Sequence, residues 1–240
     1  MRRHLVLRLA SPLIAFGGEA IDNLGVIRDF PALSMVTGLL ANALGWDRSD
    51  APAHNRLQER LRLGCVLVPG AQHIRDVQTA RLGKDDKGWT TWGVPEDRAG
   101  GAGTYAGPHL RYRDYHADLT AWVALTLLPA EEEPTLQTIA QALDKPARPL
   151  FIGRKPCLPT DRLVAGWQEA ADLRSALQAI VDAQPSTKPK PWPAQWPDGE
   201  GHQPGDRVLD VCDERNWHTQ LHGGWRPVRQ GLLHPQEVRA

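Results

Sequence analysis

Hydrophobic and polar positions alternate clearly in several short stretches of the chain. Leu5, Leu7 and Leu9 alternate with Val6 and Arg8, which predicts a strand that Pro12 ends. Ser34 to Gly45 reads as a helix that starts near Pro31 and closes at Gly45, with Leu40 and Leu44 one turn apart on a shared face. Asn55 to Leu61 suggests a short helix, and Leu63 to Val68 a strand stopped by Pro69-Gly70. Regular structure returns at Asp118 to Leu128, where Trp122, Ala124 and Thr126 alternate with Val123, Leu125 and Leu127 in a buried strand. Pro134 to Leu143 carries Leu136, Ile139, Ala140 and Leu143 at helical spacing. Leu173 to Val181 is a further helix, and short strands are expected at 207–211 and 225–228.

Between these elements lie three segments of different character. Residues 71–116 hold Lys84-Asp85-Asp86-Lys87-Gly88, Trp89, Trp92 and the run Ala99-Gly100-Gly101-Ala102-Gly103. An insertion of that length in a compact domain is usually functional or disordered. Residues 146–159 form a rigid loop, and the surrounding 144–162 has five basic residues against two acidic. Residues 184–204 are proline-rich, with Trp192 and Trp196, and read as extended chain. The order of elements over the first 160 residues is compatible with a βαββαβ, ferredoxin-like arrangement, so the fold class is α+β. The expected units are a ferredoxin-like domain over 1–160, with the insertion at about 71–116, and a small β-containing extension over 161–240.

Hydrophobic residues are 41% and charged residues 23% of the 240-residue chain, the range of a globular protein with a real core. No apolar run approaches the ~18 residues of a membrane span, and charge interrupts the apolar stretch at the N-terminus, so no signal peptide is read. The three cysteines are far apart and form no framework, which points to a reducing cytoplasm. The net charge is zero. That argues against an independent nucleic-acid binder, but not against a subunit that meets RNA through local patches.

Catalytic signals are sparse. The nine histidines include no HExxH, and the pair His218 and His222 is followed at once by Gly223-Gly224, so no metal site is expected. No nucleotide-binding loop or nucleophile elbow is present. Tyr115-His116 with Arg111 and Arg113 is the one acid–base candidate, and would suit a metal-independent endoribonuclease. Arg-Tyr-Arg-Asp-Tyr-His is read instead as the basic edge of a strand. The RNA-facing signals are three: the start of the helix near Pro31, with Ser34 and Thr37 in its early turns; Gly153-Arg154-Lys155; and the insertion, where Arg75, Arg81, Trp89, Trp92, Arg111 and Tyr112 combine guanidinium groups with flat rings. Each has a plainer reading, as a helix cap, a solvated turn and a protein-packing cluster respectively.

Three strings in order then resemble a known family. Leu7-Arg8-Leu9-Ala10-Ser11-Pro12 is followed by Ala15-Phe16-Gly17. Phe30-Pro31-Ala32-Leu33-Ser34 leads into Gly38-Leu39-Leu40 and Ala43-Leu44-Gly45. Lys145-Pro146-Ala147-Arg148-Pro149-Leu150-Phe151-Ile152-Gly153-Arg154-Lys155-Pro156-Cys157 closes the set. Together they resemble the CasD family of type I-E CRISPR Cascade subunits, in the RAMP superfamily, over about residues 4–170. Asp76-Val77-Gln78-Thr79 and Arg113-Asp114-Tyr115 are similar to the edges of that family's inserted thumb. The family's usual threonine after Phe-Pro is Ala32 here.

The resemblance implies an RRM-like fold with a thumb and a non-catalytic role. It implies a grip on the 5′ handle of the CRISPR RNA, contacts with backbone subunits and with the large PAM-reading subunit, and only indirect contact with target DNA. It implies no cofactor. The candidate RNA-contacting residues are Arg28, Ser34, Thr37, Arg75, Gln78, Arg111, Tyr112, Arg113, Arg148, Arg154 and Lys155, with Trp89 and Trp92 on the thumb. A metal-independent endoribonuclease and a protein-binding scaffold are the alternatives.

Overall fold

A computed structural model describes residues 1–18, 22–81, 83, 86–87, 94, 96, 107–184 and 190–236. Trp89 and Trp92 lie outside the described residues. The elements in chain order are β1 (Arg2–Ile14), β2 (Leu24–Gly25), α1 (Leu33–Leu44), α2 (Ala51–Arg60), β3 (Leu61–Leu67), β4 (Gln72–Ala80), β5 (His109–Leu127), α3 (Leu136–Asp144), β6 (Val164–Ala170), α4 (Leu173–Asp182), β7 (Trp192–Pro197), β8 (Arg207–Val211), β9 (Arg215–Asn216), β10 (Leu221–His222) and β11 (Arg226–Leu233).

One mixed sheet runs in the order β6-β1-β5-β3-β7-β11-β8. Strands β1, β3, β5 and β6 with helices α1 and α3 follow one another as β-α-β-β-α-β, an α+β arrangement consistent with a ferredoxin-like RAMP domain. Period-two alternation assigns the two faces. Leu5, Leu7, Leu9, Val123, Leu125 and Leu127 enter the core beneath α1, α2 and α3. Val6, Val66 and Ala124 point the other way and meet Leu173, Leu177 and Ile180 of α4. Burying each of those α4 side chains contributes about 1.5–3 kcal/mol.

The helix boundaries have local causes. Gly45 adopts φ 82 and its N–H bonds Asn42 O, which closes α1 with a left-handed residue. The Thr135 hydroxyl caps α3 through Thr138 N, and the Asp172 carboxylate caps α4 through Ser175 N. Ala32, at the N-cap of α1, has no side chain able to do this. Its place is taken from afar: Asp213 Oδ2 accepts Leu33 N–H at 3.0 Å, and Asp213 O accepts Ser34 N–H at 3.0 Å.

Several expectations need correction. Pro12 does not end β1, which continues to Ile14 with Leu13 opposite Ala117. A strand tolerates proline where no ladder donor is needed, and Asp118 on the neighbouring strand has φ 55, a local irregularity at that point. The insertion is not irregular at its flanks. β4 pairs with the first half of β5 from Gln72↔Ala117 to Ala80↔His109, a long hairpin. β5 therefore begins at His109, well before Asp118. The proline-rich stretch is extended over Trp192–Pro197, as expected, and there it forms β7, whose Trp192 and Trp196 are buried in the second core cluster. β6, past residue 160, is hydrogen-bonded along β1, and β7 joins β3, so β6, β7, β11 and β8 extend the same sheet while β9 and β10 pair in a separate two-stranded one.

Candidate nucleic-acid interface

The first and last of the strings singled out in the sequence meet beside β5. Gly153 adopts φ 87, and a Cβ there would lie 1.7 Å from Ala15 O, so only glycine lets the 152–157 loop seat against the end of β1. Ile152 N–H bonds Cys157 O at 2.7 Å and Cys157 N–H bonds Arg154 O at 2.9 Å, which turns Arg154 toward β5. Its Nη1 donates to Asp114 O at 2.8 Å and its Nη2 to Gly25 O at 2.6 Å. The guanidinium stands 4.9 Å from the Tyr115 ring centre. A Cβ on Gly25 would be 2.9 Å from both Arg113 Nη1 and Arg154 Nη2. The missing side chain on β2 is what allows two guanidinium groups to approach one another.

The hairpin register sorts the remaining candidates. Residues directly opposite in an antiparallel pair share a face. Asp76 faces Arg113 and Gln78 faces Arg111, on the same side as Tyr115 and hence as Arg154. Gln78 Nε2 donates to Asp76 Oδ2 at 2.8 Å, while Arg111 is exposed. The opposite face carries Arg75, Val77, Tyr112 and Leu110. Arg75 grips Asp114 in a two-point pair at 2.6 and 3.0 Å. That hydrogen bonding holds the Asp114 carboxyl below the usual carboxylate range despite the opposing effect of burial. Arg75 is thus already neutralised, and Val77 and Leu110 beside it are exposed apolar residues. One face gathers Arg111 and Arg113, and the other holds the neutralised Arg75–Asp114 pair beside the exposed apolar Val77 and Leu110.

Other sequence candidates have structural duties. Thr37 is fully buried and its hydroxyl donates to Leu33 O at 2.9 Å, out of reach of an external phosphate. Ser34 is buried, and the helix N-terminus it was expected to offer to a phosphate is filled by Asp213. Arg28 Nη2 donates to Cys212 O at 2.7 Å, tying the β2 loop to the C-terminal segment. Arg148 spans Trp46 O and Asp47 Oδ1, at 2.7 and 2.9 Å, beyond the C-terminal end of α1. Lys155 is exposed next to Arg154. Tyr115 is buried, whereas the His116 ring lies on the other face and its Nε2 meets Arg28 O at 2.9 Å. The two side chains do not converge.

A cavity of about 180 Å³ adjoins Arg154, lined by Ala15, Gly17, Gly18, Ser34, Met35, Gly153, Arg215 and His222. Arg215 and His222 come from the β9–β10 hairpin, which no motif distinguishes in the sequence. Among the described residues no helix is long and apolar enough to cross a membrane.

The family model for "CRISPR-associated protein (Cas_Cas5)" matches residues 4–229. The chain belongs to this CRISPR-associated Cas5 family. The CRISPR system Cascade subunit CasD of Escherichia coli K12 is 28% identical over 188 residues, covering 74% of this chain and 76% of that protein. A chain of a solved CRISPR RNA-guided surveillance complex superposes with a TM-score of 0.74 at 21% identity, over 97% of this chain and 90% of the other. A crystal structure of a Cas protein gives 0.58 at 22%, over 98% and 97%. The CasD-like, RAMP-type resemblance read from the sequence is thereby borne out, and the match runs well past residue 170 into the C-terminal segment. In this Cas5-family chain the signal for Gly25, Asp213 and Arg215 was not local. Each acts through a contact between distant parts of the chain.

Proposed function

We propose that this chain is a non-catalytic CRISPR RNA-binding subunit of a Cascade-type complex that holds the 5′ handle of the guide RNA. The observation that carries the reading is the convergence of Arg113 and Arg154 across Gly25, continuous with Arg111 on one face of the β4–β5 hairpin. Guanidinium groups brought this close together favour phosphate oxygens, and Arg forks match them in two-point contacts, while Asp76 opposite Arg113 is held by Gln78. The exposed apolar side chains of Val77 and Leu110 on the other face suit contact with a neighbouring backbone or large subunit. Sequence reading of the target is then the task of the RNA, not of this protein. The endoribonuclease alternative is disfavoured by the burial of Tyr115 and by the separation of its ring from His116 across the strand.

The test is co-expression with the partner subunits and a CRISPR array, followed by purification of the complex. Arg111→Ala with Arg113→Ala is expected to lower RNA recovered with the complex by tenfold or more, since each lost charge-assisted contact costs about 1.5–3 kcal/mol. His116→Ala is expected to leave processing of repeat RNA in EDTA unchanged. Full RNA recovery in the arginine double variant would overturn the binding reading, and loss of cleavage in His116→Ala would revive the nuclease.

A further inference from the structure

Arg215 of the C-terminal β9–β10 hairpin and Arg48, in the loop between α1 and α2, form a pair of cations with no counter-charge among the described residues. Arg215 Nη2 and Arg48 Nε both donate to the same neutral acceptor, Gln220 Oε1, each at 2.9 Å. Among the described residues neither guanidinium has a carboxylate within ion-pair distance. Other arginines of the chain show the contrast: Arg75, Arg162, Arg226 and Arg229 are each paired with an aspartate. Arg215 Nε is buried and has no acceptor among the described residues. The guanidinium stacks 5.4 Å from the Trp217 ring centre, and Trp217 is itself fastened by Nε1 to Gln58 Oε1 at 3.2 Å. Gln220 Nε2 also donates to Trp217 O, so the bridging amide is fixed in place. Burial together with the neighbouring Arg48 pushes the Arg215 guanidinium below its ordinary pKa, the direction expected of a cation that lacks a partner.

Arg215 also lines the cavity that Arg154 lines, between Gly17-Gly18 and Gly153, with exposed His222 on the same rim. The basic face of the β4–β5 hairpin therefore continues, through Arg154, to a second cationic group held by a different part of the chain. We propose that Arg215 and Arg48, bridged by Gln220, form a backbone-phosphate clamp that takes the single-stranded RNA where it leaves Arg154. This rests on the RNA-binding reading above and assigns the C-terminal hairpin a direct part in it. A phosphodiester supplies what the site lacks: a negative charge and several acceptor oxygens for the free donors of both guanidinium groups. Like charges that close to one another repel, and an anion between them turns the repulsion into attraction. No base is read here, so the clamp is indifferent to sequence.

The experiment uses the full-length chain and a fluorescein-labelled oligouridylate as probe, with fluorescence anisotropy over a series of salt concentrations. Arg48→Gln is the first variant, because Arg48 is exposed and its loss leaves the core intact. Arg215→Lys keeps the charge but not the fork, and Arg215→Gln removes both. Thermal melting of each variant separates binding from folding. Arg48→Gln and Arg215→Gln are each expected to weaken binding about five- to twentyfold with an unchanged melt. Each should also lower the slope of log affinity against log salt by about 0.7, the value for one phosphate contact on a single strand. Arg215→Lys is expected to keep the slope and lose part of the affinity. Wild-type chain that binds no oligouridylate at low salt would sink the RNA-binding reading itself. Wild-type binding that falls in Arg111→Ala, yet keeps its affinity and slope in Arg48→Gln and Arg215→Gln, would overturn the clamp alone.

Discussion

Asp213 carries more of the architecture than its place in an unremarkable C-terminal stretch suggests. It is buried and held by Arg226 through two bonds, at 2.8 and 2.7 Å. It spends its other capacity on the first N–H groups of α1. A helix start needs acceptors for its first N–H groups and favours negative charge there. Because Ala32 cannot supply either, Asp213 does so across 180 residues of chain. Replacing it by alanine removes the side-chain cap on Leu33, keeps the backbone bond to Ser34, and leaves the largely buried Arg226 without its partner. Asp213→Ala is therefore expected to cost about 3–5 kcal/mol in urea-induced unfolding. Adding Arg226→Met in the same chain should recover part of that loss. A double variant no better than the single one would show that the pair is not the unit argued here.

At the scale of elements, the β4–β5 hairpin is peripheral to stability and central to the proposed interface. Every residue of β4 is exposed, and none belongs to either core cluster. β5 by contrast changes role along its length: 109–117 pairs with β4, and from Ala121 onward it lies between β1 and β3. Replacing residues 82–106 by a short Gly-Ser bridge is expected to leave a cooperative melt within a few degrees of wild type. Shortening a loop changes closure entropy by only ~1 kcal/mol. The same chain is expected to fail in assembly with partner subunits and RNA. A deletion that does not fold would show that this part of the chain belongs to the core, and the thumb expectation would fall with it.

The molecule as a whole is formally neutral, so the proposed RNA binding would gain little from long-range attraction and would rest on local groups. One buried titratable group inside the sheet bears on its dependence on pH near neutrality. His4 in β1 is fully buried, and burial pushes its imidazole below the ordinary value of 6.5, with Glu200 and Asp172 opposing and Arg2 assisting. A histidine whose folded pKa is depressed is neutral in the native state while the unfolded chain takes up a proton below about pH 6.5. Its contribution to stability is therefore full above that pH and is lost as pH falls toward the folded value. Unfolding free energy measured from pH 8 down to pH 5 is expected to decline below about 6.5 in the wild type. The decline should be shallower in His4→Phe, whatever that variant's absolute stability. Parallel profiles would remove His4 as the cause.

The sequence alone determined what depends on near neighbours. The alternation at Leu5, Leu7 and Leu9 placed β1 and its core face, and Gly45 marked the end of α1 through its left-handed backbone. Three strings in the right order gave the family, because family motifs are local. Gly153-Arg154-Lys155 was legible as a constrained basic turn. What the sequence did not reveal depends on contacts between remote segments. Pro12 inside β1 and Trp192-Pro193 inside β7 break local strand rules, and they are tolerated because burial of the flanking side chains outweighs a missing donor. Ser34 and Thr37 looked like an anion site until tertiary contact filled the helix end with Asp213. Only the folded chain decided which arginines are free, since a guanidinium's role is fixed by the carboxylate or carbonyl that packing brings to it. Arg75 and Arg148 are engaged in that way, and Arg48 and Arg215 share one amide oxygen with no carboxylate within ion-pair distance among the described residues.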